Sequence, residues 1–206
     1  MLKILGRSNS SNVEKVLWCC DELELDYHRE DIGGPFGGNK EPEYLALNPN
    51  STVPTMIEDD FVLWESNSIV RYLAEKSGEN PFYPSSLQIR ASAGRWMDWQ
   101  LAVMHRAHVP VFVAMTRTPP EKRNLEKLAA DRKVWSSAMA ILDTYLGETA
   151  YIAGPDFTFG DIPVGISAFR WFALDIERED FSNLLRWYNL LSERPAFRKN
   201  VIDIGF

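Results

Sequence analysis

The sequence predicts an α/β domain over residues 1–78 followed by an all-helical domain over residues 87–206. Three observations point there. Short strand-like and helix-like segments alternate through the first part of the chain. Gly78 to Ser86, with Pro81 and Pro84, then breaks the pattern as a linker would. Beyond it strand grammar all but disappears. A length of 206 residues fits one large domain or two small ones, and 45% hydrophobic residues suffice for a sizeable core.

Taken in order, Leu2 to Leu5 reads as a strand. Val13, Val16, Leu17, Cys20 and Leu23 fall at helical spacing and make one apolar stripe. Leu25 to His28 returns to extended character, and a loop rich in Gly and Pro follows from Gly33 to Gly38. Glu41 to Leu47 suits a short helix. Thr55-Met56-Ile57 and Phe61-Val62-Leu63 read as strands joined by a turn at Asp59-Asp60, and Ser66 to Glu75 as a third helix. The order β-α-β-α-β-β-α is that of a thioredoxin-like domain, with a parallel pair first and an antiparallel hairpin last. In the second part, Ile89 to about Ala114 is a long amphipathic helix that Pro110 should kink or end. Pro119-Pro120 starts another, with Val134, Ala138, Ile141, Leu142 and Tyr145 as its later apolar face.

Composition narrows the function classes. A net charge of −7 gives no basic footprint for nucleic acid or anionic membranes. No apolar run approaches the roughly 18–20 residues that span a bilayer, and the apolar part of Met1 to Arg7 is too short for a signal peptide. The only cysteines, Cys19 and Cys20, are adjacent and seldom close a disulfide, so free thiols in the cytoplasm are expected. Aromatic content of 12%, with seven Trp, suggests well-filled interfaces or an apolar pocket without choosing between them.

Three local patterns are specific, two for chemistry and one for structure. Asn48-Pro49-Asn50-Ser51-Thr52-Val53-Pro54 resembles the loop before the third strand of glutathione transferases. In that family the Val-Pro bond is cis, and the residue before proline pairs its N–H and C=O with the glutathione backbone. An ordinary pre-strand loop is the plain alternative. Glu65-Ser66-Asn67-Ser68-Ile69 resembles the family's Glu/Gln-Ser-x-Ala/Ser-Ile signature. Ser66 opens a helix, whose free N–H groups favour an anionic group. The resemblance implies that Ser66 and those amides meet the γ-glutamyl carboxylate, and Glu65 its ammonium; simple helix capping by Ser66 is the alternative. Finally, Phe157-Thr158-Phe159-Gly160-Asp161-Ile162 fits a capping box with Thr158 at the N-cap and Asp161 at N3, plus a Phe157–Ile162 staple. It also resembles a signature of the family's helical domain, with a structural role.

In glutathione transferases a hydroxyl usually donates to the glutathione thiolate. A free thiol titrates near 8.5, and one charge-assisted hydrogen bond of about 1.5–3 kcal/mol lowers that by roughly one to two units. The loop Arg7-Ser8-Asn9-Ser10-Ser11-Asn12-Val13 holds neither Tyr nor Cys. The tyrosine-type and cysteine-type classes are thereby disfavoured, and the chain resembles a bacterial serine/asparagine type, theta- or nu-like. The resemblance makes Ser10 the thiol activator and Asn12 its second donor, with helix capping by Ser10, Ser11 and Asn12 as the alternative. No His or acid lies nearby to make a serine a nucleophile.

Arg7, Arg106 and Arg117 are candidates for an electrophile pocket and would suit an anionic electrophile such as a small halo-acid. Arg117-Thr118-Pro119-Pro120 resembles a stretch of one bacterial group of the family. Trp96, Trp99, Met104 and His105 could line that pocket or serve core and dimer packing. Where the family often has a basic residue for the glycine carboxylate, Thr52 stands, leaving Asn39, Lys40 and Arg106 as candidates. The resemblance thus implies a cytoplasmic detoxifying transferase with glutathione as co-substrate, a small electrophile as its other partner, no metal, and a homodimer joining domain one of each subunit to domain two of the other. A glutathione-dependent disulfide reductase and a non-catalytic binding protein of the same fold stay open.

Overall fold

In the computed structural model, which describes residues 1–206, strand β1 (Leu2–Leu5) buries Leu2, Ile4 and Leu5. Helix α1 (Ser11–Glu22) turns Val13, Val16, Leu17 and Cys20 inward as the spacing predicts, while Leu23, the last residue of the expected stripe, is its half-buried C-cap. Its end departs from expectation. Glu24 adopts φ +53°, Glu24 N–H donates to Asp21 C=O, and Leu25 N–H donates to Cys20 C=O at 2.9 Å. This Schellman closure keeps Leu25 with the helix, so strand β2 is Tyr27–Glu30 and not Leu25 to His28. Helix α2 (Pro42–Leu47), strands β3 (Thr55–Glu58) and β4 (Phe61–Trp64), and helix α3 (Ser66–Lys76) complete the expected order.

The sheet runs β2-β1-β3-β4, with β1 parallel to β2 and antiparallel to β3, and β3 antiparallel to β4. Helices α1 and α3 pack together. Buried Lys15 donates from Nζ to Asn67 Oδ1 at 3.2 Å, and Cys19 Sγ lies 3.9 Å from Val70 O.

By packing, the chain divides into Met1–Tyr83 with Arg194–Phe206, and Pro84–Glu193. Everything from 87 onward is expected in the helical domain. The last segment groups instead with the first unit because of what it meets on α1. Arg194 holds Glu22 with two nitrogens (2.8 and 2.5 Å), Asn200 Nδ2 donates to Asp21 Oδ2 (2.7 Å), and the Phe197 ring sits 4.6 Å from that of Trp18.

The second unit is all helix. Helix α4 (Leu87–Trp99) is capped by Ser86, passes through a π turn at Gln100–Met104 and continues as α5 (His105–Thr116). Pro110 lies inside α5 and does not end it, because Ala107, His108, Val111 and Phe112 are buried on either side. Pro119-Pro120 opens only a short 3-10 turn. Helix α6 (Leu125–Leu146) begins where Asn124 Oδ1 accepts from Lys127 N–H at 2.9 Å. Its buried face is Trp135, Ala138, Met139, Leu142 and Leu146, whereas Val134 (59% exposed) and Ile141 (53%) point outward. The expected apolar face was therefore set about one residue off. Helix α7 (Asp161–Ala173) is buried along almost its whole length and packs on α4, α5 and α8 (Ser182–Ser192). Trp135 and Trp171 meet edge to face at 4.9 Å, so much of the tryptophan content is core.

Candidate functional site

Strand register brings two of the three sequence patterns together. Leu5 of β1 pairs with Thr55 of β3, which sets the Val53-Pro54 bond beside the loop that leaves β1. That bond is cis. Gly6 marks the closest approach: a β-carbon there would fall 2.5 Å from Val13 Cγ2 and 3.2 Å from Val53 Cβ, so a side chain would push the two loops apart. Thr52 C=O accepts from Tyr44 OH (2.5 Å) and Asn48 Nδ2 (2.9 Å), and both side chains also reach Thr55 Oγ1 (2.8 and 3.1 Å). The loop is thus fixed from beneath. No hydrogen bond within the chain uses the N–H or C=O of half-buried Val53. A peptide laid along it would find one donor and one acceptor.

The second pattern joins the same place. Ser66, buried at the first position of α3, donates from Oγ to Asn12 Oδ1 at 3.2 Å. With its oxygen engaged, Asn12 presents its Nδ2 hydrogens elsewhere. Glu65 precedes the helix at φ +71°, a left-handed backbone that costs a non-glycine residue roughly 1–2 kcal/mol. Such departures concentrate where a ligand is held. Ser10 occupies the N-cap position of α1, and its C=O takes the Glu14 N–H at 2.8 Å, but its side chain makes no capping bond. Half-buried Ser10 Oγ therefore remains available to a ligand.

The other candidates are placed one by one. The Arg7 side chain lies against Gly34, whose added β-carbon would meet Arg7 Nε at 2.6 Å. The Asn39 amide is engaged by Ser51 O (2.7 Å), while Lys40 and Thr52 are exposed. Arg106 lines a groove of about 420 Å³ with Val103, Val134 and Ile141, and exposed Arg117 lies over the Phe112 ring at 5.7 Å. Trp96 and Trp99 wall a second groove of about 420 Å³ with Arg95 and Tyr145, and Ile141 borders both. Met104 is core, and His105 packs edge-on against His108 at 5.1 Å. Burial pushes the Cys19 thiol up, and the Cys20 thiol to about 12, so neither is a nucleophile near neutrality. No group of three or more His, Cys, Asp or Glu side chains is arranged to hold a metal ion, and no helix is long and apolar enough to cross a membrane.

Residues 9–76 match the family model described as "Glutathione S-transferase, N-terminal domain". The chain is 40% identical over 204 residues to glutathione S-transferase GstB of Escherichia coli K12, covering 98% of both proteins. It belongs to the glutathione transferase family. Glutathione S-transferase D7 of Drosophila melanogaster is 30% identical over 186 residues, 87% of this chain and 79% of that protein. Among solved structures, a theta-class glutathione S-transferase from Xanthomonas axonopodis pv. citri, determined with glutathione bound, superposes with a TM-score of 0.93. It is 41% identical, covering 98% of this chain and 97% of the other.

Membership in the glutathione transferase family gives the third pattern its setting. Helix α7 begins at Asp161 with Gly160 at its N-cap, so Thr158 is not the expected N-cap, Asp161 is not at N3, and no full capping box forms. Thr158 N–H donates to Asp161 Oδ2 at 2.9 Å, but Thr158 Oγ1 donates to the same oxygen (3.2 Å) and does not accept from the helix. Asp161 also accepts from Ile152 N–H (3.1 Å) and Trp187 Nε1 (2.9 Å). Those two donors, like Tyr44 and the Ser66–Asn12 bond, belong to no short sequence pattern.

Proposed function

We propose that this chain is a glutathione transferase that adds the thiolate of glutathione to a small electrophile. Ser10 Oγ, with Asn12 Nδ2 as second donor, would stabilise the sulfur. Val53 N–H and C=O would pair with the tripeptide backbone, on the loop formed by Thr52, Val53 and Pro54. Ser66 and the amides opening α3 would meet the γ-glutamyl carboxylate, and Glu65 its ammonium. The observation that carries the reading is the N-cap position of Ser10 without a side-chain cap, on a loop that touches the cis Val53-Pro54 segment.

The test is Ser10→Ala. Losing one hydrogen bond to a charged sulfur, about 1.5–3 kcal/mol, lowers turnover roughly 10- to 150-fold while glutathione affinity changes little. Unchanged turnover removes Ser10 from the role. A disulfide reductase working through its own cysteines finds no support, since both thiols are buried and raised. One that relies on glutathione alone is separated by comparing a small mixed disulfide with a halide as second substrate.

For the electrophile we propose a small anion such as a halo-acid, with Arg7 and Arg117 as its candidate contacts, each tested by substitution with Gln; Arg106 shares the groove of Val103, Val134 and Ile141 and goes with the subunit contact instead. Detoxification in the cytoplasm by a homodimer completes the reading. The exposed apolar side chains Leu101, Val103, Val134 and Ile141 on the second unit support a subunit contact.

A further inference from the structure

The bond between Ser66 and Asn12 has a neighbour that the function proposed above does not use. Further along α1, Lys15 donates from Nζ to Asn67 Oδ1 of α3 at 3.2 Å. Lys15 is 1% exposed and Asn67 2%. The two bonds, Asn12 to Ser66 and Lys15 to Asn67, tie the starts of α1 and α3 side by side. Glu14, buried as well, lies about 100° round α1 from Lys15, and adjacent positions on a helix do not face each other.

A lysine is a costly choice for this position. Its ammonium is held out of water, where a methionine would fill similar space without that loss, so packing alone does not call for it. Its sign also opposes its surroundings. Lys15 stands in the second turn of α1 and reaches the first turn of α3. Each helix start carries a partial positive charge, which favours an anion and disfavours a cation. Three sources of the same sign thus meet at one place, and an anion arriving there relieves all three. The Asn67 side chain is short, so Lys15 Nζ lies within about 8 Å of the Asn67 N–H, one of the amides that open α3.

We infer that Lys15 is a positioning residue for the γ-glutamyl carboxylate: held on Asn67, its buried charge makes the start of α3 select a ligand that carries an anion there. This rests on the glutathione reading above. Lys15 acts without touching the ligand. At about 10 Å through protein, a unit charge still changes the affinity of an anion roughly tenfold.

The test uses the full chain and calorimetric binding of two probes. One is glutathione; the other is 4-aminobutanoyl-cysteinylglycine, the same tripeptide without the γ-glutamyl α-carboxylate. The wild type is expected to bind the second at least about tenfold more weakly. Lys15→Met removes the charge, and Lys15→Gln removes it while keeping a donor for Asn67. Both variants should bind glutathione about tenfold more weakly and the analogue almost as before, so the gap between the probes narrows about tenfold. The loss should appear in KM for glutathione and not in kcat. The inference is overturned if either variant weakens both probes alike, as lost packing would, if either keeps the wild-type gap, or if the loss is confined to kcat. A wild-type gap well under tenfold overturns it without any variant. A wild type that binds neither probe removes the parent reading, and is distinct from one that binds both with a gap the variants leave unchanged.

Discussion

The Tyr44 hydroxyl sits between Thr52 C=O and Thr55 Oγ1, and burial raises its pKa. It contacts no predicted ligand group, yet it sets the height of the backbone at Val53. Tyr44→Phe keeps the ring and removes the donor, leaving Thr52 C=O to Asn48 alone. It should cost about 0.5–1.5 kcal/mol of stability in urea unfolding, with a several-fold rise in the glutathione dissociation constant measured by calorimetry. Unaltered binding would mean that Asn48 suffices. At this scale the sequence was partly legible. Ser10, Asn12, Val53 and Ser66 stand in short patterns that single them out locally as the residues proposed to meet glutathione. Tyr44 stands in the short helix expected over Glu41 to Leu47 but in no signature, and the Ser66–Asn12 bond joins residues far apart in sequence, so pattern alone reports on neither contact.

Asp161 belongs to the scale of the element, since it fastens the start of α7 to Ile152 and to Trp187 of α8. Desolvation raises its carboxyl from 3.8 to about 6, against the hydrogen bonds from Thr158, Ile152 and Trp187 that favour the anion. Between those values the folded chain binds more protons than the unfolded chain. Stability from this group is therefore full below about pH 4, is lost as pH rises to about 6, and then stays level. Glu58 and Glu179 act in the opposite sense, their carboxyls lowered by hydrogen bonds from Lys76 and Ser136. The difference between wild type and Asp161→Asn isolates the effect. Measured by denaturant unfolding, that difference should decline by roughly 2–3 kcal/mol across pH 4–6. A flat difference would contradict the raised value. Elements themselves were legible wherever apolar spacing was regular, as in α1 and α3. The misplacements fall where hydrogen bonding overrides periodicity, at the Glu24 turn and at the Asn124 cap. In α6 the outward Val134 and Ile141 obey the helical period as well as the buried residues do.

For the whole molecule, those two outward side chains bear on assembly. Ile141→Glu and Val134→Glu put a charge on the face proposed as the subunit contact, where an unpaired buried charge is costly. Each should shift the sedimenting species from dimer toward monomer without lowering the helical content seen by circular dichroism. A wild-type monomer would remove the proposed contact, and a variant dimer of undiminished affinity would relocate it.

The grouping of residues 194–206 with α1 also bears on biosynthesis. Trp18, Asp21 and Glu22 acquire Phe197, Asn200 and Arg194 only after residues 84–193 have been translated. A nascent chain can assemble the four-stranded sheet early, but it carries an unfinished aromatic and acidic surface on α1 throughout synthesis of the helical unit. The domain that is first in order of translation is thus last to be completed, and its interval of vulnerability to aggregation or to chaperone capture is set by how fast the ribosome traverses the other domain.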